Sequence, residues 1–206
     1  MSHHISPQSV STYLSGLVSQ LEPFFPHIRE ARHSRLVKQT LKGCLKLRSK
    51  PTICKHALSR ANITMILQHH ALSTNYDDLL FVAMFITGFF ALLRLSELTF
   101  PDDASIRNWH KVVRHSFLCL HTDQYEFILP AHKADWYFEG NRVIVWGEQF
   151  QCPTLPTFSL YLSARDKKFP LASPLWLTSK GVVPTLSFFM TRLQTFFPTD
   201  IAGQSL

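Results

Sequence analysis

The sequence has few acidic residues and few cysteines. Its 206 residues include 14 Asp and Glu against 21 Lys and Arg, for a net charge of +7, and four cysteines. No two cysteines form a Cys-x-x-Cys pair, and a chain that is 46% hydrophobic can bury a core without disulfides. We therefore expect reduced cysteines inside a cell. The charged content of 17% also excludes a disordered chain.

Neither a signal peptide nor a membrane span is expected. The N-terminus lacks the apolar segment of a secretory leader, so the protein is not expected to be secreted. The longest apolar run, Leu79 to Leu93, is shorter than the roughly 20 residues that a bilayer requires. Asp77 and Asp78 precede it and Arg94 follows, which suits the dipole of a helix buried in a protein core.

Metal and cofactor motifs are absent as well. The pairs His3-His4 and His69-His70 have no partners at metal-ligand spacing. The sequence contains no Walker loop, no Gly-x-Ser-x-Gly and no acidic cluster suited to Mg²⁺. We expect no metal, no cofactor and no small-molecule substrate.

The positive charge is concentrated in the first part of the chain. Residues 1–60 hold ten Lys and Arg against two acids, which gives +8, and residues 61–206 hold eleven against twelve, which gives −1. Such asymmetry indicates a polyanionic partner for the basic part. Nucleic acid is the leading candidate, and an anionic membrane surface is the second.

The basic part is predicted to be a helical module over residues 1–50, followed by a linker over 51–60. One helix begins at Ser6-Pro7, and a second runs from Ile28 to Leu47. The second helix carries cations that step by three and four residues, so they form one stripe. A solvated helix face is the alternative, but such a face usually mixes signs. The stripe consists of Arg35, Lys38, Lys42 and Lys46, with Arg32 nearby.

The remainder, residues 61–206, is predicted to be mainly helical with one small sheet. Three segments rich in β-branched and aromatic residues are separated by turn-like stretches, which predicts a three-stranded antiparallel sheet. The predicted strands are 117–120, 125–129 and 143–146, and further helices are predicted over 155–164 and 186–197.

Arg94 follows the buried helix and has apolar residues on either side. A guanidinium in that position needs an acceptor. It can pair with Glu97 three residues later on a helix surface. Alternatively, it can project into a cleft and bind a phosphate with its planar fork.

The segment Thr87-Gly88-Phe89-Phe90-Ala91-Leu92-Leu93-Arg94-Leu95-Ser96-Glu97-Leu98 resembles the first catalytic box of the tyrosine recombinases, the phage-integrase family. These enzymes break and rejoin DNA through a phosphotyrosyl link. The resemblance implies that Arg94 binds the scissile phosphate and that Glu97 supports it.

The stretch from His132 to Val145 is similar to a hairpin of eukaryotic mobile-element recombinases of the Crypton type. In the family, a lysine between the second and third strands of a three-stranded sheet protonates the leaving oxygen. The resemblance therefore implies that Lys133 is this general acid. A solvated hairpin lysine is the alternative.

The resemblance extends to the N-terminal part. The family has a helical core-binding domain of the SAM-like kind, joined by a linker to the catalytic domain, and together they clamp double-stranded DNA. It implies that the cationic stripe faces phosphates and that the protein self-associates on DNA. The resemblance also implies a nuclear location if the protein is eukaryotic, and a location in the cytoplasm or nucleoid if it is not.

The sequence departs from the family pattern at its end. The second box is His-x-x-Arg, followed later by the nucleophilic tyrosine. Gln204 stands at the expected position of the first histidine, and neither the second arginine nor the nucleophile follows it. We expect a partial catalytic domain over 61–206 and a DNA-binding protein of recombination or integration ancestry that is inactive as this chain. A non-enzymatic mobile-element remnant and a helical protein-interaction module are the alternatives.

Overall fold

The computed structural model describes residues 6–48, 58–130, 140–149 and 152–197. The chain divides into two compact units, Met1–Cys54 and Lys55–Leu206, called unit 1 and unit 2 below. Among the described residues the fold is mainly helical with a small three-stranded antiparallel sheet, which confirms the predicted fold class.

The described part of unit 1 contains three helices, namely α1 (Pro7–Leu21), α2 (Ile28–His33) and α3 (Arg35–Arg48). Ser6 and Pro7 open α1, as predicted. The prediction of one continuous helix over 28–47 is wrong, because the helix is interrupted at Ser34. The backbone of Ser34 is extended, with ψ 154°, and its hydroxyl accepts a hydrogen bond from the Val37 N–H at 3.4 Å. Ser34 therefore ends α2 and caps α3.

Unit 1 has a small hydrophobic core. Among its described apolar side chains Val18 alone is buried. Polar contacts supplement this packing: the Arg32 guanidinium donates to Ser15 Oγ at 2.7 Å and to the Ser11 carbonyl at 3.3 Å. These bonds join α2 to α1. A row of large apolar side chains remains exposed on α1 and the turn after it, namely Tyr13, Leu17, Leu21, Phe24 and Phe25.

Unit 2 is organised around one deeply buried helix. Its helices are α4 (Arg60–His70), α5 (Tyr76–Phe90), α6 (Leu95–Leu98), α7 (Thr154–Lys168) and α8 (Leu186–Phe196). In α5 every residue from Leu80 to Gly88 is buried. Within the described ranges, no helix has the length and apolar character needed to cross a membrane.

The sheet of unit 2 contains β1 (Cys119–Leu120), β2 (Gln124–Leu129) and β3 (Asn141–Trp146) in that order, all antiparallel. The inner face of β2 presents Tyr125, Phe127 and Leu129 to the core. A separate antiparallel pair, β4 (Glu148–Gln149) with β5 (Cys152–Pro153), leads into α7.

Aromatic packing joins the sheet to α7. The Phe158 ring stacks on Tyr125 with centroids 4.1 Å apart and planes within 3°. Phe158 also meets Trp176 edge-on at 5.8 Å. The Tyr125 hydroxyl lies 2.8 Å from Thr87 Oγ1 of α5, so the sheet, α5 and α7 share one core.

Between α6 and β1 the chain forms three short 3-10 turns, Ala104–Ile106, Trp109–Lys111 and His115–Phe117. Asp103 and Asn108 each accept a hydrogen bond from the backbone two residues later, at 2.9 Å, which fixes the first two turns. Phe117, predicted to begin the first strand, belongs to the third turn instead.

Candidate phosphate site and nucleic-acid interface

The end of α5 determines where Arg94 lies. Leu92 adopts a left-handed backbone, with φ 53°, and the Leu93 N–H donates to the Gly88 carbonyl at 2.9 Å. This is a Schellman cap in which leucine takes the place usually filled by glycine. A non-glycine residue there costs on the order of 1–2 kcal/mol. Leu92 is 81% exposed, so its side chain recovers little of that cost by packing.

Helix α6 begins directly after Arg94. Its residues Leu95 and Leu98 are both buried, which anchors the short helix to the core. The Arg94 side chain is 55% exposed, while that of Glu97 is 11% exposed. The fold therefore presents the arginine at the surface above a nearly buried carboxylate.

Glu97 contacts Arg94 twice. One carboxylate oxygen accepts the Arg94 backbone N–H at 2.8 Å, and the other accepts the guanidinium Nη1 at 3.2 Å. A surface pair of this spacing stabilises a helix by only a few tenths of a kcal/mol. A guanidinium has five N–H donors, and within the described part of the chain this pair uses one of them. The remaining donors can bind an oxyanion while Glu97 holds the side chain in place.

A small cleft of about 120 Å³ lies beside α6. Glu97 lines one side of it, and Asn108 and Lys111 of the second 3-10 turn line another. Lys111 is exposed and has no ion-pair partner among the described residues. A cation that the sequence did not single out therefore shares a cleft with the carboxylate that holds Arg94.

Lys133, the predicted general acid, and Gln204, at the expected histidine position, both lie outside the described residues. The strands on either side of the Lys133 turn are described. On their outer face Arg142 pairs with Glu126, and His121 Nε2 lies 3.6 Å from the same carboxylate. The Arg142 guanidinium holds the pKa of Glu126 below its usual range.

The predicted cationic stripe lies on α3. The side chains of Arg35, Lys38, Lys42 and Lys46 are all exposed, and none has an ion-pair partner within the described part of the chain. The two acids of unit 1 are engaged elsewhere, because Glu22 pairs with Arg29 at 2.5 Å and Glu30 lies 3.6 Å from His27. The positive charge of the row is therefore uncompensated.

Arg32 does not belong to this row. Its guanidinium donates to Ser11 and Ser15 of α1, and the residue is half-buried. A structural role in joining two helices accounts for these contacts.

The tyrosines of unit 2 are poor nucleophiles where the structure describes them. Tyr125 and Tyr161 are fully buried and hydrogen-bonded, and burial raises the pKa of both hydroxyls. Burial also raises the pKa of Tyr76. Tyr137 lies outside the described residues.

A larger cavity, of about 540 Å³, lies between α4, α5 and α7. Its lining includes His70, Asp78 and Cys152. Burial lowers the pKa of His70 and raises the pKa of Cys152 to about 11. Cys152 is therefore a protonated thiol near neutral pH. Cys44, Cys119 and Cys152 are free cysteines. Across the described ranges no group of His, Cys, Asp or Glu is arranged to hold a metal ion.

Arg165 is a buried cation that no sequence pattern indicated. Its side chain is completely buried, and Nη1 donates to Asp166 at 2.7 Å. Nη2 donates to the carbonyls of Ala172 and Pro174, which fixes the loop after α7. Only its place on the apolar face, four residues after Tyr161, could have signalled this burial.

The chain matches no protein-family model, and no curated protein matches it.

Proposed function

We propose that the chain is a DNA-binding protein that grips double-stranded DNA through the cationic row on α3, and that it descends from strand-exchange enzymes of the tyrosine recombinase kind. One observation carries the binding proposal: four exposed cations of unit 1 lie in one row, and among the described residues none of them pairs with an acid. A row of one sign is what a phosphate backbone attracts.

The length of the row suits a duplex. Lys46 follows Arg35 by eleven residues, which at about 1.5 Å per residue gives a row of about 16 Å. That length corresponds to roughly five base-pair steps. The proposal assigns these contacts to phosphates, so they position the duplex without reading its sequence.

Within the same proposal Arg94 binds a phosphate oxygen. Its support is the half-exposed guanidinium, which contacts Glu97 and directly precedes the anchored helix α6. Positioned donors of this kind stabilise charge on a phosphoryl group. Glu97 is a positioning residue in this scheme, and Lys133 remains the proposed general acid.

Matched charge removal tests the binding proposal. One variant combines Lys38→Gln with Lys42→Gln on α3, and its control combines Lys167→Gln with Lys180→Gln, which are exposed in unit 2. Duplex binding is measured by fluorescence anisotropy over a range of salt concentrations. We expect the α3 variant to reduce the log–log salt slope by about 1.8, at about 0.9 per phosphate contact, and the control to leave it unchanged. Equal effects of both variants, or flat salt dependence of the unmodified protein, would contradict the proposal.

Strand cleavage is tested separately with a DNA substrate that traps covalent intermediates. We expect no protein–DNA adduct from this 206-residue chain, because Tyr125 and Tyr161 are fully buried and Tyr76 is partly buried. A covalent adduct on denaturing gels would overturn this expectation and favour an active enzyme.

A helical protein-interaction module is the second candidate. The exposed apolar row of α1 and its following turn favours it, because contiguous exposed apolar residues often mark protein contacts. If the protein does not bind duplex DNA and Leu17→Glu abolishes its binding to a protein partner, this candidate is favoured over DNA binding.

A further inference from the structure

The turn Trp109–Lys111 presents an aromatic ring to solvent among cations. Trp109 is 64% exposed, and its neighbours His110 and Lys111 are exposed as well. Large aromatic side chains usually bury most of their surface, so a tryptophan held exposed among cations is a candidate contact for a ligand.

The ring is held in place and is not free to collapse onto the surface. Asn108 caps the turn by accepting the His110 N–H at 2.9 Å. The Trp109 ring meets Phe100 edge-on, with centroids 4.9 Å apart and planes at 90°. Phe100 itself is buried, and its backbone is fixed by hydrogen bonds of 2.9 Å to Pro184 and Leu186. The exposed face of Trp109 is therefore a preorganised platform.

The segment that carries the platform is basic. No Asp or Glu occurs between Asp103 and Asp123, whereas that interval contains Arg107, Lys111 and Arg114 and three histidines. Arg107 is used internally, since its guanidinium donates to the carbonyls of Pro101 and Asp102. Lys111 and Arg114 are exposed and have no acidic partner in the described part of the chain.

We infer that this surface binds single-stranded DNA, with an unpaired base stacked on Trp109 and the adjacent phosphates at Lys111 and Arg114. The inference rests on the proposed function for its choice of DNA. It adds a different surface and a different form of the nucleic acid. An exposed aromatic face among cations matches unpaired bases, whose faces are accessible, better than duplex bases, which are already stacked. Lys111, on the turn that carries Trp109, also lines a cleft with Glu97, the residue that contacts Arg94.

A pair of tryptophans provides the test. Trp146 is 54% exposed on the outer face of β3, so Trp146→Ala is a matched control for Trp109→Ala. Affinity is measured by anisotropy for a labelled oligothymidine of about 12 nucleotides and for a duplex at the same salt concentration. We expect Trp109→Ala to weaken single-strand binding roughly 5- to 150-fold, the range of one base–aromatic stack. Trp109→Phe should retain most of the affinity, and duplex affinity should not change.

A second variant covers the case in which Trp109→Ala unfolds. Lys111→Gln with Arg114→Gln leaves the Phe100 contact intact and should reduce the single-strand salt slope by about 1.4. Equal losses from Trp109→Ala and Trp146→Ala, or unchanged single-strand binding in folded Trp109→Ala, would overturn the inference. If duplex binding depends on α3 but single-strand binding is unaffected by Trp109→Ala, this inference alone is contradicted. Single-strand binding that requires Trp109 without any duplex binding would sink the proposed function alone.

Discussion

Units 1 and 2 differ in how much apolar surface they bury. Unit 2 buries the whole middle of α5 and packs Phe158 between Tyr125, on which it stacks, and Trp176, which it meets edge-on. Unit 1 buries Val18 alone among its described apolar side chains, while Tyr13 and Phe24 remain 57% and 75% exposed. Unit 2 therefore has a core that sustains its own fold. Unit 1 relies on half-buried apolar side chains such as Leu14, Val37 and Leu41, together with the polar contacts of Arg32.

The largest expected effect tests the core of unit 2. Phe158→Ala removes a fully buried ring and its stack on Tyr125, so we expect a loss of about 3–5 kcal/mol in the free energy of unfolding. Urea denaturation followed by circular dichroism measures it. A loss below about 1 kcal/mol would show that the core of unit 2 is no stronger than that of unit 1.

The corresponding change in unit 1 should be smaller. Val18→Ala removes its one described buried apolar side chain, at a cost of about 1–2 kcal/mol. Because unit 1 has little other core, we expect this variant to speed hydrogen exchange throughout α1 and α3 but not in α5. Unchanged exchange in unit 1, or faster exchange in α5, would refute the contrast between the two units.

A stabilising change is expected where unit 2 stores backbone strain. Leu92→Gly relieves the left-handed conformation at the end of α5, so unfolding should become harder by about 1 kcal/mol. Thermal unfolding measures the gain, and Leu72→Gly, another highly exposed leucine, is the control. If Leu92→Gly destabilises the protein, the exposed leucine at position 92 has packing that its exposure does not reveal.

The smallest effect concerns pH. Burial lowers the pKa of His70 in the folded state, and the charges of His69 and Arg192 lower it further. The carboxylate of Asp78 raises this pKa, but by less than burial lowers it. The unfolded chain, with an ordinary histidine pKa near 6.5, then binds more protons than the folded chain. The contribution of His70 to the free energy of unfolding is therefore fully present above about pH 6.5, and it falls as the pH drops below that value. His70→Gln should show a shallower fall in urea midpoint between about pH 7 and pH 5. Parallel curves for the two proteins would contradict the assignment.

The sequence predicted the fold where the pattern was long and periodic. The apolar run of α5 and the aromatic and β-branched residues around Tyr125 identified a buried helix and a sheet strand correctly. The break at Ser34 was missed because apolar periodicity continues across it, although serine is a common N-cap residue. Short turns such as Trp109–Lys111 carry little periodicity, and their capping residues are the only local signal.

The candidate sites were predictable only in part. The stripe on α3 follows from spacing alone, since residues three and four apart share a helix face. The partners of Arg32 could not be predicted, because its contacts with Ser11 and Ser15 depend on how two helices pack. The cleft that Lys111 shares with Glu97 is a tertiary contact and leaves no trace in local sequence.

The left-handed turn at Leu92 has a practical consequence for position 94. Because the main chain and the anchored α6 fix that position, its location does not depend on the side chain that occupies it. A fluorophore attached through Arg94→Cys, in a variant whose exposed Cys119 is replaced, would be held by this backbone, facing solvent above Glu97. Because the substitution removes the guanidinium proposed to bind phosphate, such a label would report the exposure and motion of this position rather than the binding of DNA.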